Sequence, residues 1–298
     1  MRAIGFDPLV AEIDRLNGLA PANHLFEAAF VGSQPYRQKH DPNDWWALSA
    51  RNNQPFPRTS APWATDILQM DWTKEAYNAN AEVCFSERLI SLDDYCAEKS
   101  IADLDFIKID TDGSDFEVLT GAEHILNTGR VLGVQVEAQF HGAVDREANL
   151  FSNIDTLLRE KGFTLFDMDL WRYSRANLPR RFFYDIPAQT QKGQVLWGEA
   201  LYLRDFGDAD YERKWQQDSW PVAKLIKLAA LFDLYGLPDC ALELLEKYCD
   251  VLTAGNYPVD EWTQCLVPPI NGQTVTLAQY RAHCEDLVRQ KRYKDLPL

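Results

Sequence analysis

"FIKIDTDGSDFEVLTGAEHIL", residues 106–126, decides how this chain is read. Phe106, Ile107 and Ile109 form an apolar run that ends at Asp110, and the carboxylates Asp110, Asp112 and Asp115 crowd around Gly113. From Ser114 onward, Phe116, Val118, Leu119, Ile125 and Leu126 supply the apolar face of a helix. The pattern predicts a strand, an acidic turn and a helix closed by Gly129, since glycine is the usual residue just past a helix end. Negative charge at the mouth of a strand can activate a substrate, receive a phosphoryl group, or cap a helix.

The flanks repeat the same alternation. "ISLDDYCAEKSI" (90–101) reads as a strand end capped into a short helix, and "VLGVQVEAQF" (131–140) as a further strand. "NLFSNIDTLLREKGFTLFDMDL" (149–170) is helix, Gly162 stop, strand, and "GQVLWGEALYLRDF" (193–206) is a late strand that suits an antiparallel position. At the start, "RAIGF" (2–6) is a short buried strand, followed by a helix with Leu9, Val10, Ile13 and Leu16 on one face. Asp7 stands at the expected N-cap of that helix and Pro8 at its first position. "HLFEAAFVG" (24–32) is a second strand, ended by Gly32. Strands and helices alternating at short intervals imply an α/β fold whose sheet is mostly parallel, with helices on both faces.

Two segments depart from this pattern. Residues 33–81 hold many Pro, Asn and aromatic residues without a period, the composition of a lid or binding loop. In it Trp45, Trp46 and Trp63 can stack on a flat or sugar-like ligand or anchor the loop to the body. Residues 207–220 are a polar linker, and "PVAKLIKLAALFDLYGLPDCALELLEKY" (221–248) is a helical hairpin turned at "GLPD", similar to a single tetratricopeptide unit. The expected organisation is an α/β domain over 1–206 carrying the 33–81 insertion, the linker 207–220, and a helical extension over 221–298.

Bulk properties narrow the function. With 298 residues and 46% hydrophobic content the chain can bury a sizeable core. A net charge of −15 argues against non-specific nucleic-acid binding, which needs cations to displace counterions, and against docking on anionic lipid. The six cysteines form no CxxC pair, which fits reduced thiols in the cytoplasm. There is no basic-then-apolar leader and no run of roughly 18 apolar residues, so a soluble cytoplasmic protein without a membrane span is expected.

Ligands of open α/β sheets bind beyond the carboxyl ends of the strands. Asp7, Asp110 with Asp112, and Glu137 all fall at such ends. A carboxylate in the position of Asp7 can grip ribose hydroxyls or cap its helix, and Asp112 and Asp115 serve equally well as caps of the helix that follows. Glu117 reads as exposed or locally paired. His141 is a general base or a polar surface group. Lys108 either reaches a carboxylate or sits at the sheet's rim.

With these pieces in order, the chain resembles FkbM-type methyltransferases. That family carries a strand ending K-I-D, an acidic residue, Gly, then E-x-x-x-L-x-G-A, matched here by Lys108, Ile109, Asp110, Asp112, Gly113, Asp115, Leu119, Gly121 and Ala122. Its S-L-D-x-Y/L segment is similar to Ser91, Leu92, Asp93 and Tyr95, its F-E-P to Phe6, Asp7 and Pro8, its acidic strand end to Glu137, and its GF stop to Gly162–Phe163. The resemblance spans about residues 1–206. It implies a Rossmann-like class I methyltransferase fold with a C-terminal helical appendage. The implied reaction is transfer of a methyl group from S-adenosylmethionine to a hydroxyl of a sugar, a glycan or a secondary-metabolite intermediate. It further implies Asp110, Asp112 and Glu137 as catalytic residues, Asp7, Ala29 and Asp110 as cofactor-binding residues, and no metal. The implied partners are a small-molecule or glycan acceptor and, through the C-terminal helices, a second copy or another protein.

Two other readings stay open. "IKIDTDGS" also satisfies the D-x-D-G-T/S opening of haloacid-dehalogenase-type phosphatases, with Asp110 as nucleophile, Asp112 as acid and Mg²⁺ beside the phosphate. The alternative is a non-catalytic methyltransferase-like scaffold whose helical tail binds a partner. A calcium loop is excluded, because its sixth and twelfth positions would be Asp115 and Gly121 rather than Gly and Glu. The 298 residues lack the family's first strand and its D-x-G-A-x-x-G turn, which would precede "GFDP" by roughly 20 residues. That strand is central, so its omission leaves a slot between neighbours with unpaired amides. The reading frame is therefore expected to continue upstream of Met1 and encode a strand followed by D-x-G-x-x-x-G. Genomic sequence of that region checks this, and an in-frame stop immediately before Met1 overturns it.

Overall fold

A computed structural model describes residues 2–33, 85–111, 113–128, 130–142, 144, 146–175, 181, 190–215 and 220–296. The expectations placed on Asp112, on Gly129 and on the tryptophans Trp45, Trp46 and Trp63 lie outside these residues. The first strand, β1 (Ala3–Asp7), pairs in parallel with β2 (His24–Ala28) across helix α1 (Val10–Leu19). The helix starts later than the sequence suggested: Leu9 is its N-cap, and Asp7 Oδ1 accepts from Leu9 N at 2.7 Å. Asn17 closes the outer edge of β2, its amide side chain pairing with both the N–H and the C=O of Phe26.

The segment read as one strand over 24–32 is two. At Ala29 the chain changes partner: Ala29 N still bonds to Asp7 O (3.1 Å), whereas Phe30 N bonds to Arg88 O (2.9 Å). Strand β3 (Phe30–Val31) then runs parallel to β4 (Leu89–Ile90). Next comes α2 (Leu92–Glu98), capped by Ser91 Oγ on Asp94 N. Its Tyr95 hydroxyl donates to Glu27 Oε1 at 2.5 Å, and Arg88 pairs with the same carboxylate. Phe6 meets the Tyr95 ring edge-on at 4.8 Å. The S-L-D-x-Y segment thus ties β1, β2 and β4 together.

Strand β5 (Phe106–Ile109) leads into two short helices, α3 (Asp115–Thr120) and α4 (Glu123–Asn127), where a single helix was expected. The break at Gly121–Ala122 has a cause outside the segment. Asp93 N bonds to Gly121 O (2.9 Å), and the Asp93 carboxylate takes His124 N (2.7 Å) and Ile125 N (2.9 Å), starting a new helix there. Strand β6 (Gly133–Gln139), helix α5 (Phe151–Glu160), β7 (Phe163–Tyr173) and β8 (Gln194–Arg204) complete the α/β part. Gly162, at φ +84°, turns α5 into β7.

The fold is mixed α/β. Strands β1–β2, β3–β4 and β5–β6 pair in parallel, while β8 pairs antiparallel with β6 in a four-stranded sheet ordered β5-β6-β8-β7. The antiparallel late strand is as expected. Among the described residues the strands fall into three hydrogen-bonded groups, and β1 and β5 are not paired. One face of the four-stranded sheet is apolar. Ile107, Ile109, Val134, Val136, Ala138, Ala200 and Tyr202 pack there against Val118, Leu119 and Leu126 and against Ile154 and Leu158 of α5. Each fully buried Leu or Ile contributes about 1.5–3 kcal/mol relative to exposure, so this layer is the main driving force.

By contact density the chain divides after Leu203. In the second unit the segment expected as a linker contains helix α6 (Tyr211–Trp215) with buried Tyr211, and Lys247 Nζ bonds to Phe206 O (2.7 Å), Asp208 O (2.8 Å) and Glu212 (3.1 Å). Helices α7 (Val222–Leu234) and α8 (Pro238–Lys247) form the expected hairpin, turned at Gly236 with φ +74°. Helices α9 (Cys249–Ala254), α10 (Val259–Leu266) and α11 (Leu277–Arg289) follow, the last opened by a Thr276–Gln279 capping box.

The glycine of the L-x-G-A motif is demanded by space. A Cβ on Gly121 would lie 2.0 Å from the backbone oxygen of Gly32, and neither main chain can yield cheaply. Gly121→Ala is expected to cost at least 1–3 kcal/mol, the range for overpacking. Urea denaturation measures it, and a change below about 0.5 kcal/mol would reject this close approach.

Candidate functional site

Strand alternation sends a second set of side chains to the face opposite the core. Ile109 is level with Val136, and both point into the core, so Asp110 and Glu137 emerge next to each other just past the matched pairs. Glu137 in turn faces Glu199 of β8 directly across the antiparallel ladder. Two carboxylates directly opposed in a sheet repel one another. Gln135 Nε2 offsets this by donating to Glu199 Oε2 at 2.7 Å. Lys108 Nζ lies 3.0 Å from Asp110 Oδ2, with both side chains about half exposed, at 52% and 51%. Three adjacent strands therefore carry an acidic row, Asp110–Glu137–Glu199, edged by Lys108 and Gln135. Glu199 escaped the sequence reading because nothing in the order of the chain reveals which strand sits beside β6.

The structure does not bring every expected residue to this row. Asp7 and Ala29 adjoin each other at the ends of β1 and β2, in another sheet. Ala29 is almost fully buried beside Ile90 and Tyr95, so its side chain belongs to the core. Glu117, read as exposed or locally paired, accepts instead from the Ser33 hydroxyl, 84 residues away in sequence. Lys108 does reach a carboxylate. His141 is half-buried beyond β6. Among the described residues no group of three or more His, Cys, Asp or Glu side chains could hold a metal ion.

Sorting the carboxylates in and around the motifs by what they bind separates structure from chemistry. Asp93 starts α4, and Glu117 holds Ser33. Asp115 is 0% exposed, and its Oδ2 accepts from Thr111 Oγ1 (3.2 Å) and Gly113 N (3.3 Å). Asp110 alone of these points into solvent with only Lys108 as its partner among the described residues. Around Asp115 lies a buried polar cluster. Asn149 Oδ1 accepts from Phe116 N at 2.9 Å, and Ser114 is fully buried. Among the described residues, Asp115 Oδ1, Ser114 Oγ and Asn149 Nδ2 have no hydrogen-bond partner. Asn149 carried no sequence signal. Asp115 carried one, its place in the motif, but a turn aspartate reads as a cap.

The methyltransferase FkbM domain model matches residues 13–165, just over half of the chain. A chain with this fold and this run of motifs belongs to the FkbM methyltransferase family. The match takes in β5, the acidic turn, α3, β6 and α5, while Asp7 and Glu199 lie outside it. Comparison with curated proteins returns no match, and comparison with solved structures returns none.

Desolvation, with help from the nearby Asp110 charge, pushes the Asp115 carboxyl up to about 7 from an ordinary 3.8, against the pull of the Gly113 N–H and the Thr111 hydroxyl. The folded chain therefore keeps this proton where the unfolded chain has released it. The resulting stabilisation is complete below the ordinary value and is lost as pH rises toward 7. Wild-type stability is expected to fall between about pH 4 and 7 relative to Asp115→Asn, by up to about 1.4 kcal/mol per pH unit. Parallel pH-dependent unfolding curves for the two proteins would refute this.

Proposed function

We propose that this chain is an S-adenosylmethionine-dependent O-methyltransferase acting on a hydroxyl of a sugar, a glycan or a secondary-metabolite intermediate. One observation carries the choice of residues: of the described carboxylates in the family's motifs, Asp110 is the one left facing solvent, at the end of a parallel strand and level with Glu137. Family membership supplies the reaction class.

The residues present fit the cofactor in one respect that can be named. Asp7 ends β1, and the Leu9 N–H at 2.7 Å fixes one of its oxygens, so the carboxylate has a set direction. Its Oδ2 has no donor among the described residues, and a fixed carboxylate oxygen suits ribose hydroxyls. S-adenosylmethionine, when bound, supplies the methyl group as an electrophilic carbon on a sulfonium.

The remaining work falls to the chain. Asp110 and Glu137 orient the acceptor alcohol, and one of them takes its proton. Placing the oxygen in line is worth several kcal/mol of the barrier before any proton moves. Lys108, 3.0 Å from Asp110 Oδ2, keeps that carboxylate from swinging freely. The Glu137–Glu199 repulsion favours a bound group that donates hydrogen bonds to both, as a polyol does. Among the described residues no helix is long and apolar enough to cross a membrane.

Calorimetry with S-adenosylmethionine, followed by transfer of labelled methyl to a panel of glycosides and polyketide alcohols, tests the reading on the full chain. Asp110→Asn and Glu137→Gln are expected to lower methyl transfer by roughly 10²-fold, the lower range for a general base, with melting temperatures little changed. Absence of cofactor binding would return the chain to the non-catalytic scaffold reading. Phosphate release from p-nitrophenyl phosphate with Mg²⁺ would return it to the phosphatase.

A further inference from the structure

We propose that Asp115 is the positioning residue of the β5 exit: its buried carboxylate holds the turn that sets where Asp110 points. The inference rests on the reading of Asp110 given above. In the turn, Thr111 Oγ1 at 3.2 Å and Gly113 N at 3.3 Å converge on a single oxygen, Asp115 Oδ2. Thr111 directly follows Asp110 and Gly113 lies two residues further on, so anchoring both to Asp115 restrains the chain just past the strand. Gly113 adopts φ +108°, a conformation that other residues rarely reach, so glycine is required at that point of the turn.

The bland reading, in which Asp115 only caps α3, meets two difficulties. Asn149 already serves the start of α3, since its Oδ1 takes Phe116 N at 2.9 Å. A cap is also ordinarily placed in water, where its charge costs nothing. Asp115 is 0% exposed, and a polar side chain withdrawn from water is costly unless its hydrogen bonds offset the loss. Tying a hydroxyl and an amide of the same turn to one oxygen is such an offset, and it needs only an acceptor oxygen at that place.

Placement also rules out a direct chemical role. A carboxylate with no exposed surface cannot touch an acceptor alcohol, whereas Asp110, half exposed, can. Asp115 therefore acts through Asp110. The nearest reporter of Asp110 is Lys108, whose ammonium lies 3.0 Å from its carboxylate. Anything that lets the turn wander weakens that pair and frees the amine.

The test uses the full chain without cofactor or acceptor. Hydrogen exchange at the Gly113 amide and acetic-anhydride labelling of Lys108 are compared in wild type, Asp115→Ala and Asp115→Asn. Asp115→Ala is expected to speed Gly113 exchange at least tenfold and Lys108 labelling several-fold, with exchange in β6 and α5 unchanged. Asp115→Asn, which keeps an acceptor oxygen, is expected to recover most of the protection. Unchanged Gly113 exchange in Asp115→Ala overturns the proposal, as does a rise spread evenly over β6 and α5, the mark of a merely structural role. Where Asp115→Ala does not fold, the Asn variant decides. Wild-type-like protection and Lys108 labelling support the clamp, and Gly113 exchange as fast as in an unstructured peptide overturns it. If wild type fails to bind S-adenosylmethionine in calorimetry, the methyltransferase reading falls while these local readouts still settle the role of Asp115.

Discussion

Burying one face of the β5–β6–β8 layer is the constraint on which the rest of the α/β unit depends. Val134, Val136, Ala138, Ala200 and Tyr202 are all fully buried, and Ile107 and Ile109 nearly so. Because side chains alternate, committing these to the core sends Lys108, Asp110, Gln135, Glu137 and Glu199 to the opposite side. A slip of one residue in register would put carboxylates into the core at a cost of several kcal/mol each. The acidic row is therefore held in place by hydrophobic burial and not by any attraction among its members, two of which repel.

The carboxylates show how one residue type divides its labour by environment. Asp93 neutralises the exposed amides at the start of α4 and so splits what would otherwise be one helix. Glu27 joins β2 to Arg88 and Tyr95. Asp115 is withdrawn from water and holds a turn, and Asp110 is left half in solvent. The family's motif is thus largely a description of architecture. Gly121 is there because backbone comes within contact distance of it, and Asp93 because the start of α4 lacks partners without it. This is why a motif match identifies the family more firmly than it identifies the reacting groups.

Much of the fold was legible in the sequence, and the misses have specific causes. The strand at 106–109, the stop at Gly162 and the hairpin turned at Gly236 follow from apolar periodicity and from glycine's access to positive φ, both local properties. The split of 24–32 at Ala29 and of 115–127 at Gly121 followed from bonds to Arg88 and Asp93, which no local pattern contains. Helix α6 was mistaken for linker because its polar residues conceal Tyr211, buried in the second unit.

For the candidate site, the sequence by itself determined that carboxylates close β1 and β5, since a charged residue closing an apolar run marks a strand's exit, whereas Glu137, read as a strand end, lies two residues inside β6. It also determined the family, whose motifs are contiguous. Only the tertiary structure decided that Asp110 and Glu137 are neighbours, that Glu199 joins them from a strand some sixty residues further along, and that Asp7 stands in a different sheet. It alone decided that Asp115 is fully buried while Asp110 is half exposed. The physical reason is that strand order and burial are set by long-range packing, so two aspartates of one turn, alike in sequence, meet opposite solvents.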